Sequence, residues 1–285
     1  MTTAFGDLDN QVGGGKVRST VVHYLHTSVT PLLRGSYTEQ IGRRLFAVAA
    51  ELTKLAGWAA YDLEEHGLAQ RYLIQSLRMA RAAGDSALGA EILAAMSHQA
   101  TYVGRPGDAI DLARAARIAA RSAGLPALEA GCHMVEAHGH AARSDERSCG
   151  ASLNEAERAF DRGEVNRPNW LTYLDSAYMS AKAGQCFQEL GDHERAARLA
   201  RASLDMSEGY QRGRVFNLCL LASNLVVEDP REAVRVGSQA LELSGVVESR
   251  RTHAYLRDVR ARLAFYEEIP EVADFRHRVS AAKAV

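Results

Sequence analysis

The densest cluster of chemistry-bearing side chains in the chain is GCHMVEAHGHAAR, which sets Cys132, His133, His138 and His140 within nine residues. Such donors could hold zinc if nitrogen and sulfur ligands lay one helical turn apart on one face, as in H-x-x-x-H. His133 and His138 are five apart and His138 and His140 two apart, so neither pair shares a helix face. No metal site is expected. Nucleophilic chemistry is equally unsupported. There is no G-x-S-x-G, and Cys132, Cys149, Cys186 and Cys219 are isolated, with no C-x-x-C and no setting that would lower a thiol pKa. They read as small core residues of a reducing compartment. Gly13-Gly14-Gly15 follows no strand and precedes no Lys-Ser/Thr in register, so it reads as a hinge rather than a phosphate loop. The acid pairs Glu64-Glu65 and Glu267-Glu268 fall at helix ends or solvated faces. Arginines recur at three- and four-residue steps (Arg78, Arg81; Arg114, Arg117, Arg121; Arg198, Arg201), interleaved with acids, as on a solvated convex face. Neither enzymatic activity nor a cofactor is expected.

The elements that carry these residues are helices, and they repeat. Small residues at Ala69, Ala109, Cys149 and Ala196, with a weaker fifth at Ala233, open successive helices at separations of 40, 40, 47 and 37 residues. Each is preceded by another helix, and a small residue at that point lets the second helix of a pair lie close against the first. Turns arrive on schedule at Gly67, Gly84-Asp85, Gly104-Arg-Pro-Gly107, Gly124-Leu-Pro126, Ser144-Asp145, Gly191-Asp192, Glu228-Asp-Pro230 and Gly245. Strand signals are absent. With 285 residues and 47% hydrophobic content rich in alanine and leucine, the pattern describes one elongated body of stacked hairpins.

The expected division is a flexible lead over 1–17 and a helical repeat domain over 18–285, with hairpins near 38–84, 86–124, 126–163, 170–208 and 211–245 and a cap over 248–283. Val21, Val22, Leu25, Val29 and Leu32 mark an amphipathic helix from Ser19 to Leu33, which Pro31 must strain or end. Its apolar side needs cover. A homodimer is expected to supply it, although a fold-back onto the first hairpin would serve equally. Between the third and fourth hairpins, FDRGEVNRPNWLTYLDSAY adds about seven residues with Pro168 and Trp170. It reads either as a loop insertion with Trp170 covering a seam, or as a lid on a working face. Charge is balanced (34 basic, 35 acidic, net −1), so nucleic-acid binding by this chain is not expected. No signal peptide or membrane-spanning run stands out, and a cytoplasmic location is expected.

Aligned on the anchors, the hairpins resemble tetratricopeptide repeats. The fourth carries Gly184, Phe187, Leu190-Gly191, Ala196 and Ala200, with an aromatic three residues after the glycine and an alanine twelve after it. The first keeps Gly57 and Ala69, and the others place Ser97, Ala137 and Leu221 where the glycine would be. The interval exceeds the usual period of about 34, so these are degenerate, elongated copies. The expected fold is an all-α, right-handed α-solenoid of about five such hairpins with a C-terminal capping helix; HEAT-type repeats are the structural alternative.

A longer resemblance rests on LDNQVGGGKVR, LAGWAAYDLEEHGLAQRYLIQSLRMARAAGD and LAAMSHQATYVGRPGDAIDLARAAR. These are similar to the C-terminal sensor region of actinobacterial, streptomycete-type Cro/C1-type helix-turn-helix transcriptional regulators. Members of that family begin with about eighty residues of DNA-binding domain, and this chain starts just after the point where that domain would end. It therefore reads as a sensor fragment or as a stand-alone paralogue. The resemblance implies a regulatory role, with a small-molecule or peptide ligand and either a DNA-binding partner or the missing domain. A scaffold that binds proteins without sensing a ligand is the alternative.

In the tetratricopeptide solenoid the first helix of each hairpin lines the concave surface. Carrying those positions over gives Glu51, Lys54, Trp58 and Tyr61 from the first hairpin and Glu91, His98 and Tyr102 from the second. The third gives Met134 and His138, and the fourth gives Tyr178, Gln185 and Gln188. Aromatic bodies with a few polar tips suit a pocket for a small molecule or peptide.

Overall fold

The computed structural model describes residues 2–163 and 167–282, and among these residues every regular element is helical. Five hairpins run in chain order. They are α4 (Glu39–Asp62) with α5 (His66–Ala83), α6 (Ser86–Tyr102) with α7 (Pro106–Ser122), and α8 (Pro126–Ala141) with α9 (Glu146–Asp161). Then come α10 (Ser176–Glu189) with α11 (His193–Ala202), and α12 (Gln211–Leu225) with α13 (Pro230–Ser244). Three short helices precede them: α1 (Thr2–Val12), α2 (Gly14–Tyr24) and α3 (Thr30–Leu33). Two follow: α14 (Arg250–Arg262) and α15 (Pro270–Ala281). The first helices of successive hairpins touch one another and form an inner layer, and the second helices form an outer one. The chain is an all-α solenoid.

Each repeat turns on two recurring residues. The anchors Ala69, Ala109, Cys149, Ala196 and Ala233 are all fully buried. Twelve residues upstream of the second, the Ser97 hydroxyl donates to the carbonyl of Ala109 at 2.8 Å. At the same step in the fourth, a Cβ on Gly184 would lie 3.4 Å from the carbonyl oxygen of Ala196. Helix crossings this close admit only small side chains. Five residues before each of the first four anchors the backbone turns left-handed, at Glu64 (φ 60°), Gly104 (76°), Ser144 (58°) and Gly191 (79°). That conformation reverses the chain between the two helices of a pair. Asp85, Asp145, Asp192 and Asp229 then accept backbone N–H groups at helix starts, which keeps the hairpins short and sharp. Outer helices are amphipathic: α7 buries Ala109, Ile110, Ala113, Ala116 and Ala120 at three- and four-residue steps. The inner helix α8 is buried on nearly every side.

The N-terminal segment departs from expectation. Instead of a flexible lead and a hinge, residues 2–24 are helical apart from Gly13, and α1 packs against α4 and α12. Gly13 (φ 85°) sits so close to Glu248 that a Cβ would fall 2.5 Å from its carbonyl oxygen, and one on Gly14 would fall 2.6 Å from that of Ala59. Glycine is needed there for close packing. Gly15 donates its N–H to Glu248 and Glu248 donates to Val12, so the start of the chain is stitched to the start of α14. The fold-back covers the apolar side of α2: Val17, Val21 and Val29 are buried with Ala49, Leu52 and Ala56 of α4. The expectation of a homodimer thereby loses the face it rested on. Pro31 neither breaks nor ends the helix, because a π-helical turn over Leu25–Val29 absorbs its missing donor. The Leu25 carbonyl accepts both the Thr30 N–H and, at 2.8 Å, the Thr30 hydroxyl.

At the other end, α14 lies on α12 and α15 on α13, burying Leu256, Val259, Leu263, Val272 and Phe275. The Phe275 ring fills the space over Gly237 that any larger residue would take. All four cysteines are free and buried. No helix among the described residues is long and apolar enough to cross a membrane.

Candidate functional site: a cavity ringed by the inner helices

The inner layer curls round a cavity of about 300 Å³ whose wall draws on α1, α4, α6, α8, α10, α12 and α14. Its apolar surface comes from Trp58, Leu128, Val135, Trp170, Tyr178 and Phe216, and its polar surface from a few charged groups. Such a mixture, concave and mainly apolar, is the general character of ligand sites.

On one side Lys54 of α4 meets Glu91 of α6 at 2.9 Å and lies 5.6 Å from the Trp170 ring. The Tyr173 hydroxyl donates to the same carboxylate at 3.0 Å. Trp170 and Tyr173 belong to the insertion between the third and fourth hairpins, where a short 3₁₀ turn (Asn169–Leu171) anchors itself through fully buried Leu171 and Leu174. The insertion therefore forms wall, and Trp170 also packs against the core of the neighbouring hairpins. Residues 164–166 of that insertion lie outside the described residues.

Deeper in, the Lys182 ammonium of α10 donates to His98 Nδ1 at 2.9 Å and to Gln185 Oε1 at 3.0 Å. His98 stacks on Trp58 with ring centroids 5.6 Å apart. Burial, reinforced by Arg251, lowers the Lys182 pKa to about 7. Burial and the Lys182 charge hold His98 well below the usual histidine range and bring His138 down to about 3.

Arg251, at the start of α14, closes the back. Its guanidinium carbon sits 4.0 Å from the centroid of the Tyr61 ring, 4.7 Å from Phe216, 5.2 Å from Tyr102 and 5.9 Å from Trp58, an aromatic box that holds a cation through π-electron density. Its nearest acid is Asp62, with Nη1 3.8 Å from Oδ1. That carboxylate already accepts from Gly14, Ser249 and Arg212. Arg212 of α12 in turn reaches Asp9 of α1 at 2.6 Å, so the first and last turns of the solenoid are tied by buried charge beside the cavity.

Six of the twelve residues taken from the sequence therefore share this wall: Lys54, Trp58, Glu91, His98, Tyr178 and Gln185. The other six lie elsewhere. Tyr61 and Tyr102 sit behind Arg251 as part of its box, and Tyr102 donates to Glu64 at 2.9 Å. His138 lies behind His98 with centroids 6.5 Å apart. Met134 is core between the second, third and fourth hairpins. Gln188 accepts from Asn224 at 2.7 Å, holding α10 to α12. Glu51 stands on α4 beyond the wall, close to Thr2 of α1. Lys182 was missed although it lies four residues after Tyr178 and three before Gln185, on the same helix face. Nothing local in the sequence marks Asp9, Arg212, Phe216 or Arg251 as cavity residues, because only the closure of the solenoid brings them inward.

Neither a family model nor a curated protein matches the sequence of this chain. Among solved structures, the fold is similar to that of a Rap protein crystallised in complex with competence and sporulation factor, with a TM-score of 0.54 and 12% identity. The match covers 98% of this chain and 95% of that one, so the likeness runs through the whole tetratricopeptide-like solenoid and both its ends.

Proposed function

We propose that this chain is the ligand-sensing and interaction module of a bacterial transcriptional regulator, and that its occupant is a small molecule or a short peptide bound in the cavity. The observation that carries the reading is the cavity itself, with walls from all five hairpins and both terminal elements, lined by aromatic bodies and a few fixed polar groups. A ligand there touches parts of the chain up to 245 residues apart, Gly6 to Arg251, and so favours one relative arrangement of the repeats over others. That preference is how occupancy would change the way a DNA-binding partner, or a linked helix-turn-helix domain, is held. The similar Rap structure was solved in complex with competence and sporulation factor, and a regulatory binding role fits that comparison. The role is non-catalytic and needs no cofactor.

A thermal-shift screen of metabolites and short peptides tests the reading. At least one compound should raise the unfolding midpoint in proportion to the logarithm of its concentration, and Trp58→Ala should abolish that rise. A screen in which nothing stabilises the chain, alongside a protein captured through the inner surface, would favour the scaffold alternative.

A further inference from the structure

Lys182 and Arg251 are both buried, at 6% and 3% exposure, and both line the cavity. Buried cations in proteins are normally matched by a carboxylate, because an uncompensated charge in a poorly solvated site is costly. The other two cations of the wall obey this: Lys54 has Glu91, and Arg212 has Asp9 and Asp62. Lys182 does not. Its hydrogen-bond partners are the neutral acceptors His98 Nδ1 and Gln185 Oε1. The groups that surround it are Tyr178 and Cys186 on its own helix, His98 of α6, His138 of α8 and Arg251 of α14. None is an acid. Arg251 is only partly matched, since its Nε and Nη1 groups are buried without a hydrogen-bond acceptor while Asp62 Oδ1 lies 3.8 Å away.

We propose that Lys182, with the Arg251 charge behind it, forms a seat for a carboxylate carried by the cavity's ligand, the apolar body of which lies among Trp58, Trp170, Tyr178 and Phe216. The inference rests on the cavity being the ligand site and specifies what enters it: an organic acid with an apolar or aromatic body, or a short peptide entering by its C-terminal carboxylate. A carboxylate suits the site. It gives the Lys182 ammonium a charge-assisted partner in place of neutral ones. The positive charge of Arg251 also disfavours the Lys182 ammonium, and an anion beside Lys182 offsets that repulsion.

Isothermal titration of the full chain with two matched pairs of probes tests this. One pair is indole-3-propionate and its amide; the other is the tripeptide Ala-Leu-Phe with a free and an amidated C-terminus. The expected result is that the free acid of at least one pair binds about tenfold tighter than its amide, the scale of a charge-assisted hydrogen bond. In Lys182→Met the two should bind within about twofold of each other. Which pair discriminates separates a free organic acid from a peptide end. Acid and amide binding alike to the wild-type chain overturns the carboxylate seat and leaves the cavity reading standing. Binding of neither form in either pair overturns both. A second measurement needs no variant: at pH 8 the acid should bind with uptake of a proton, seen as a dependence of the heat on the ionisation enthalpy of the buffer. Binding without proton uptake contradicts the role of Lys182.

Discussion

Arg212 Nη2 lies 2.6 Å from Asp9 Oδ2, a buried contact that joins α12 to α1 across 203 residues of sequence. The same guanidinium reaches Asp62 Oδ2 at 3.2 Å, so three helices from the two ends of the solenoid share one charged knot. Removing the cation leaves two carboxylates buried without their partner. Arg212→Met is expected to lower stability by about 3–5 kcal/mol, read from urea unfolding, whereas Asp9→Asn, which keeps a hydrogen-bond acceptor, should cost less. If Arg212→Met leaves the unfolding midpoint unchanged, the knot is not what holds the ends together.

Gly14 offers a steric test of the same closure. Its N–H donates to Asp62 at 3.0 Å, and a Cβ would stand 2.6 Å from the carbonyl oxygen of Ala59, a backbone atom that cannot swing aside. Gly14→Ala should therefore push α2 off α4 at a cost of about 1–3 kcal/mol. Faster hydrogen exchange over residues 2–24 should accompany it. Wild-type exchange in the variant would rule out tight docking.

Much of this architecture was legible in the sequence, and the legible part is local. The anchors at Ala69, Ala109, Cys149 and Ala196 disclosed the hairpins because a helix crossing admits only small residues, whatever lies beyond it. The inner faces of α4, α6 and α10 followed from the tetratricopeptide resemblance, whose concave positions, carried over, include Lys54, Trp58, Glu91, His98, Tyr178 and Gln185 of the cavity wall. What was not legible depends on how far the solenoid curls. Asp9 reads as one acid in a polar lead, and Arg251 as one arginine in a charged cap, until the two ends close. The three glycines misled for a related reason: in sequence they signify freedom, and only the nearness of Ala59 and Glu248 shows that they serve close approach.

Ser144 adopts φ 58° at a turn where the second and fourth hairpins have glycine. A side chain in that left-handed conformation is strained. Its replacement by glycine relieves the strain but adds freedom to the unfolded chain, so Ser144→Gly should stabilise by a net of about 0.5–1 kcal/mol. A lowered thermal midpoint would contradict the assignment of strain.

The buried bases make stability depend on pH in two windows. Burial lowers the His138 pKa from 6.5 to about 3, and His98 moves the same way. Below 6.5 the unfolded chain binds protons that the native one refuses, so stability should fall steadily as pH drops toward 3. Lys182 acts above neutrality. With its pKa lowered from 10.5 to about 7, the unfolded state holds the extra proton between those values, and stability should rise with pH across them. Urea midpoints at a series of pH values check both. His138→Leu should flatten the acidic slope, Lys182→Met the alkaline one, and an unaltered profile in either variant would contradict the corresponding assignment.

The central claim, that a ligand occupies the cavity, can be read without any label. The chain has two tryptophans, Trp58 of α4 and Trp170 of the insertion, and both line the cavity. Titration of a stabilising compound, followed by tryptophan emission in the wild type and in Trp58→Phe and Trp170→Phe, should give a saturable change from each remaining indole. A compound that stabilises the chain yet leaves both emissions untouched would place its site elsewhere and contradict the account.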